Sequence, residues 1–175
     1  MKGEQMTIDL QPFCSTWQSR PQIKRPFSRD GYTYATDGRV IVRVARRKRY
    51  KENPDAPDVS VCGTFAYRGI TKKLPRPIPK TQKAICDSCG NDRRYRVSCD
   101  NCNGTGRVHK YVYVRVGSRF IDAKYLHLLA KLPNIRIQQA GHTNSPAYFS
   151  FDGGCGYIMP LQNPKSAPWQ AGTRK

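Results

Sequence analysis

Four of the seven cysteines fall into two equally spaced pairs, Cys86-Asp87-Ser88-Cys89 and Cys99-Asp100-Asn101-Cys102, with nine residues between them. A Cys-x-x-Cys turn aims both sulfurs to one side, and two such turns facing each other supply the tetrahedral four-thiolate shell of a closed structural zinc site. Gly90 follows the first pair, and Gly104 and Gly106 follow the second. Without a Cβ these positions let backbone amides turn toward the thiolates and offset their charge. Four protein ligands leave no open coordination position, so the spacing predicts one zinc ion per chain, held by Cys86, Cys89, Cys99 and Cys102 in a structural role. Four reduced core thiols, or a redox pair, are the other chemistries such spacing allows. The remaining Cys14, Cys62 and Cys155 stand far apart and read as small buried thiols, and an odd total does not suit a complete disulfide framework.

Basic residues surround the cysteines. Asp92-Arg93-Arg94-Tyr95-Arg96 fills the gap between the pairs, Arg107 and Lys110 follow the second, and Arg46-Arg47-Lys48-Arg49-Tyr50-Lys51 forms a separate run. Arginine forks suit phosphate oxygens, and a tyrosine among them offers a ring for base stacking. A solvated basic hairpin is the plainer reading of the same residues. The whole chain has 31 Lys and Arg against 12 Asp and Glu, a formal charge of +19 with a pI near 10.0. Four thiolates around a divalent ion change this only to about +17. That balance predicts a polyanionic partner, DNA before RNA, or a nucleoprotein complex; a solubilising surface or an anionic membrane would be the alternatives.

Other classes find little support. His109, His127 and His142 are scattered, the acidic residues form no dense cluster, and there is no phosphate-cradling glycine loop, Gly-x-Ser-x-Gly or His-Glu-x-x-His. A non-enzymatic protein is the expectation. No apolar run approaches the roughly 20 residues that span a bilayer, and the first ten residues show no signal-peptide pattern, so a cytoplasmic location is expected.

Elements that must position these residues follow from periodicity. Tyr32–Ala35 and Arg39–Val44 flank Asp37-Gly38 and predict a hairpin, with Val40, Val42 and Val44 on one face. Prolines 12, 21 and 26 exclude a long helix early in the chain, leaving room for one turn over Ser15–Ser19. A third strand is expected over Val59–Tyr67 and a stiff proline-rich connector over Leu74–Pro79. After the cysteines, Val108–Val116 alternates as a strand returning to the main sheet. Asp122 can cap a helix reaching about Leu132, where Tyr125, Leu128, Leu129 and Leu132 share an apolar face and Pro133 stops it. Short strands are expected over Ile135–Gln139, Ala147–Phe151 and Gly156–Met159. The predicted core includes Val40, Val42, Val44, Leu128, Leu129, Phe149 and Ile158. The fold class is α+β: a mainly antiparallel sheet, one strong helix and an inserted four-cysteine zinc finger. The expected divisions are 1–80, the insert 81–107, 108–163, and a loose tail 164–175.

Two resemblances attach to these motifs. Cys99-Asp100-Asn101-Cys102-Asn103-Gly104-Thr105-Gly106 resembles the Cys-x-x-Cys-x-Gly-x-Gly repeat of DnaJ-type zinc fingers, which implies the metal-binding knuckle; only one centre can be built here, where that family has two. Tyr34 to Arg43, Phe120 to Leu126, Pro146 to Phe151 and Tyr157 to Leu161 are similar in kind and order to the repeats of the bacterial DNA sliding clamp. That resemblance implies a clamp-like sheet, a role as a DNA-binding accessory protein, and association between copies. A clamp ring needs six such domains and this chain supplies one. The combination is similar to bacteriophage or mobile-element products, which implies as a second role a regulator docking on a host protein or nucleoprotein machine.

Overall fold

Antiparallel pairing organises most of the chain. The computed structural model describes residues 8–17, 19–59, 69–139 and 141–161. Within these, the strands are β1 (Phe27–Arg29), β2 (Tyr32–Thr36), β3 (Val40–Ala45), β4 (Thr71–Lys73), β5 (Gln82–Ile85), β6 (Arg107–Lys110), β7 (Tyr113–Val116), β8 (Arg119–Asp122), β9 (Arg136–Gln138), β10 (Ala147–Phe151) and β11 (Gly154–Ile158). The α-helices are α1 (Arg93–Arg96) and α2 (Ala123–Leu129). Seven strands form one sheet in the order β1-β2-β3-β11-β10-β9-β4, while β5-β6 and β7-β8 are separate two-stranded ladders. Every strand pairing is antiparallel, so the fold is α+β with a mainly antiparallel sheet.

The β2-β3 hairpin forms where the turn chemistry places it. Asp37 Oδ1 accepts from the amides of Arg39 and Val40 at 2.9 and 3.1 Å, and Gly38 sits at φ 91°. Period-two alternation then sends Ala35, Val40, Val42 and Val44 to one face, where they join Phe149, Phe151, Ile158 and the helix residues Leu126 and Leu129. Removing such side chains from water contributes roughly 1.5–3 kcal/mol each. The opposite face carries a smaller cluster of Ile23, Phe27, Tyr34, Ile41, Ala56 and Val59. Gly156 is required between the layers, since a Cβ there would lie 2.1 Å from the Ile41 carbonyl oxygen and 2.4 Å from the Phe149 ring.

Helix α2 begins at Asp122, whose side chain accepts from the Lys124 amide at 3.1 Å. It ends at Leu129, short of the expected Leu132, because the backbone tightens into i→i+3 turns: Lys131 bonds Leu128 and Leu132 bonds Leu129. Leu132 still reaches the core, and Leu128 is half-buried against it. Tyr125 is buried and its hydroxyl donates to Asp37 Oδ2 at 2.7 Å, tying the helix to the hairpin turn.

Several expectations are corrected. The stretch Val108–Val116 does not return to the main sheet as one strand; it breaks at Tyr111 and Val112, so that β6 pairs with β5 and β7 pairs with β8. The break lets the Val112 carbonyl accept from the Ala123 amide at the start of the helix. Among the described residues of the span expected to hold one turn, a turn closes only at its end, where the Arg20 amide bonds the Trp17 carbonyl at 3.2 Å. Short 3₁₀ turns occur instead at Gln11–Phe13 and Pro21–Ile23, where proline presets φ. Most of the strand expected over 59–67, Cys62, and the tail from Pro164 lie outside the described residues. No helix among the described residues is long and apolar enough to cross a membrane.

Candidate metal centre and basic surface

The ladder β5-β6 carries the knuckles as a two-stranded stem, closed above by the Cys86 amide bonding the Gly106 carbonyl at 3.0 Å. All four sulfurs of Cys86, Cys89, Cys99 and Cys102 lie within 4.8 Å of one another. The Cys86–Cys99 and Cys89–Cys102 sulfur separations are both 3.8 Å. A tetrahedron of sulfurs about 2.3 Å from a central ion has edges of roughly 3.8 Å, which these two separations match. None of them forms a disulfide. Cys86, Cys89 and Cys102 are buried, and Cys99 is half-buried.

Backbone and side-chain donors surround the sulfurs. The Gly106 amide points at Cys102 Sγ over 3.2 Å, and Asn101 Nδ2 approaches Cys86 Sγ at 3.6 Å while also donating to Ser88. Gly106 has φ 71°, and a Cβ there would lie 1.9 Å from Asn91 Oδ1 and 2.7 Å from Arg96 Cδ. Only glycine satisfies both the left-handed backbone and the packing. Burial acts to raise the Cys86 thiol, but the Cys89 and Ser88 amides and the adjacent sulfurs prevail and hold it at about 7. Cys102 is likewise lowered against the effect of burial, first by the Gly106 amide. Burial pushes Cys89 up to about 12. Thiols that share protons in this way ionise stepwise, and a divalent cation would displace the remaining protons and take all four as thiolates.

Between the knuckles the basic segment folds into one helical turn, α1, capped by Asp92 through the Arg94 amide at 2.8 Å. Its residues diverge in role. Arg93 and Arg94 are exposed, and Tyr95 is 63% exposed. Arg96 is half-buried, with its Cδ packed near the Gly106 backbone. Arg107 and Lys110 project from β6 into solvent.

The Arg46–Lys51 run is also divided. Lys48 and Arg49 are exposed, with the Arg49 guanidinium 4.8 Å from the Tyr50 ring centroid. Arg46 pairs with Glu52. Arg47 is half-buried, its Nη1 donates to the Ile8 carbonyl and its amide to Thr33 Oγ1, and burial lowers its pKa. Arg47 therefore ties Ile8 to the hairpin. The run follows the end of β3, whereas the knuckle borders the opposite end of that strand, where Arg39 Nη2 donates to Tyr111 at 3.2 Å.

Two features escape the sequence motifs. Between Asp58 and Asp87 the chain carries Arg68, Lys72, Lys73, Arg76, Lys80 and Lys83 and no carboxylate, a signal that charge spacing alone exposes. Lys72 and Lys73 lie exposed on the edge strand β4. The second is a contact between His109 Nε2 and the buried Asp122 Oδ2 at 2.6 Å, which joins the knuckle stem to the helix cap and has no spacing signature. The chain matches no protein-family model, and comparisons with curated proteins and with solved structures likewise find no match.

Proposed function

We propose that the chain is a non-enzymatic nucleic-acid-binding accessory protein whose finger is fixed by one zinc ion on Cys86, Cys89, Cys99 and Cys102. The observation that carries this reading is the +19 balance combined with exposed cations at Arg93, Arg94, Arg107, Lys110, Lys48 and Arg49. A zinc-fixed finger presents Arg93 and Arg94 with little left to order, so less conformational entropy opposes their contact with a ligand. DNA is the first ligand to test, in keeping with the clamp-like order of hairpin, helix and closing strand.

Affinity should fall steeply as salt rises, because each phosphate contact releases condensed counterions. Arg93→Ala with Arg94→Ala should lower the slope of log affinity against log salt by about 1.8 for duplex DNA and leave metal content unchanged. A salt-insensitive affinity would refute the proposal.

Exposed apolar side chains on the finger favour a second reading. Val97 is 82%, Tyr95 63% and Ile85 56% exposed. A regulator docking on a host protein or nucleoprotein complex would use them. Capture from the native cell with and without nuclease separates the two: partners that survive nuclease support docking.

A further inference from the structure

A cleft of 510 Å³ separates the second knuckle from the body of the sheet, walled by Asn101, Cys102 and Asn103 on one side and by the chain start, the Asp37 turn and α2 on the other. A neighbouring hollow of 440 Å³ shares Trp17, Asn101 and Asn103 with it, so Trp17 stands between the two. Trp17 and Tyr111 both line the cleft and are 51% and 44% exposed. Each ring is attended by an arginine: Arg20 lies 5.5 Å from the Trp17 centroid and Arg39 lies 5.5 Å from that of Tyr111.

Cations outnumber carboxylates in the cleft. Arg20, Arg39, Arg107 and Lys124 line it, and among the described residues none of them is in an ion pair. The two carboxylates that border it are already engaged. Asp37 accepts from the Tyr125 hydroxyl and from two backbone amides, while Asp122 accepts from His109 and from the Lys124 amide. Half-exposed rings beside cations with no carboxylate partner suit a ligand with one flat face and one anionic group.

We infer that this cleft takes a single unpaired nucleotide, its base stacked on Trp17 or Tyr111 and its phosphate held by Arg20, Arg39 and Lys124. A paired base within a duplex cannot enter, because its faces are covered by its neighbours; an unpaired base offers a free face to an aromatic ring. The inference rests on the nucleic-acid reading above and narrows it to unpaired nucleotides, supplied either as a single strand or as a free mononucleotide. Since Asn101, Cys102 and Asn103 form one wall, the cleft depends on the folded knuckle.

The test uses Trp17 emission in full-length protein carrying Trp169→Phe, which leaves Trp17 as the sole tryptophan. The probes are a short oligothymidylate, a duplex of the same length, and thymidine monophosphate. Quenching by the single strand and not by the duplex is the expected result, with Tyr111→Ala weakening single-strand affinity about tenfold, Tyr111→Phe restoring it, and duplex affinity changing less than twofold. Quenching by the monophosphate alone would assign the cleft to free nucleotides. Duplex binding with Trp17 silent toward all three probes and single-strand affinity unchanged by Tyr111→Ala would overturn the cleft while leaving the nucleic-acid reading in place. Failure to bind any probe would overturn both.

Discussion

The sheet buries Phe149, Phe151 and Ile158 together with Leu126 and Leu129, whereas the side chains buried in the knuckle between β5 and β6 are those of Cys86, Cys89 and Cys102, with Cys99 and Val108 partly covered. The first region holds its shape by removing apolar area from water. The second, 29 residues from Gln82 to Lys110, has no such core and gathers four sulfurs that could hold a metal ion. On the proposed reading, loss of the ion would spare the apolar core and loosen the exposed arginines of α1 and one wall of the cleft.

The largest expected effect breaks the knuckle alone. Cys99→Ser removes one donor from a four-sulfur shell, and structural zinc sites of this kind contribute on the order of 10 kcal/mol of local folding energy. Zinc should be lost on purification, measured by elemental analysis, while the circular dichroism of the sheet changes little. Next comes the reciprocal change. Leu129→Ala empties a fully buried site and should cost about 2–5 kcal/mol in urea unfolding, with zinc still bound to the folded molecules.

Those two regions were unequally legible from the sequence. Paired cysteines carry their geometry in their spacing, and the Asp37-Gly38 turn with its alternating valines is equally local. Strand β4 is not: Thr71-Lys72-Lys73 is short, polar and exposed, and its partner Arg136–Gln138 is distant in the chain. Strand β8 hides behind Arg119, which is 1% exposed because its Nε donates to the Ser145 carbonyl at 2.8 Å and Nη2 to Ser145 Oγ at 3.1 Å. An arginine buried by bonds to a loop cannot be distinguished from a surface arginine by pattern. The same blindness applies to Arg47 and Arg96, whose roles depend on contacts with Ile8 and the Gly106 backbone. Trp17 and Tyr111 come together only through the tertiary fold, so no motif could announce the cleft.

Smaller effects sharpen the boundary between the regions. Asp122 caps α2 and accepts from His109, so Asp122→Ala should remove a cap worth about 1 kcal/mol and loosen the finger against the body. Faster amide exchange at Arg107–Lys110 with intact zinc content would be the readout. Tyr125 gives the mildest test. Burial, followed by the charge of Asp37, raises its phenol well above 10, so the folded state favours the neutral form. Its contribution is complete below pH about 10 and is lost as pH rises from there toward the folded-state value. The unfolding free energy of wild type should therefore decline more steeply above pH 10 than that of Tyr125→Phe, measured by urea titration at a series of pH values.

Hydrogen exchange on the purified protein, before and after chelation and with zinc content determined in parallel, tests the division between metal-held finger and core-held sheet most directly. One zinc per chain is predicted, with chelation abolishing protection in β5, α1 and β6 while β2, β3, β10 and β11 keep theirs. A zinc-free protein whose finger amides are as protected as before chelation would contradict the account.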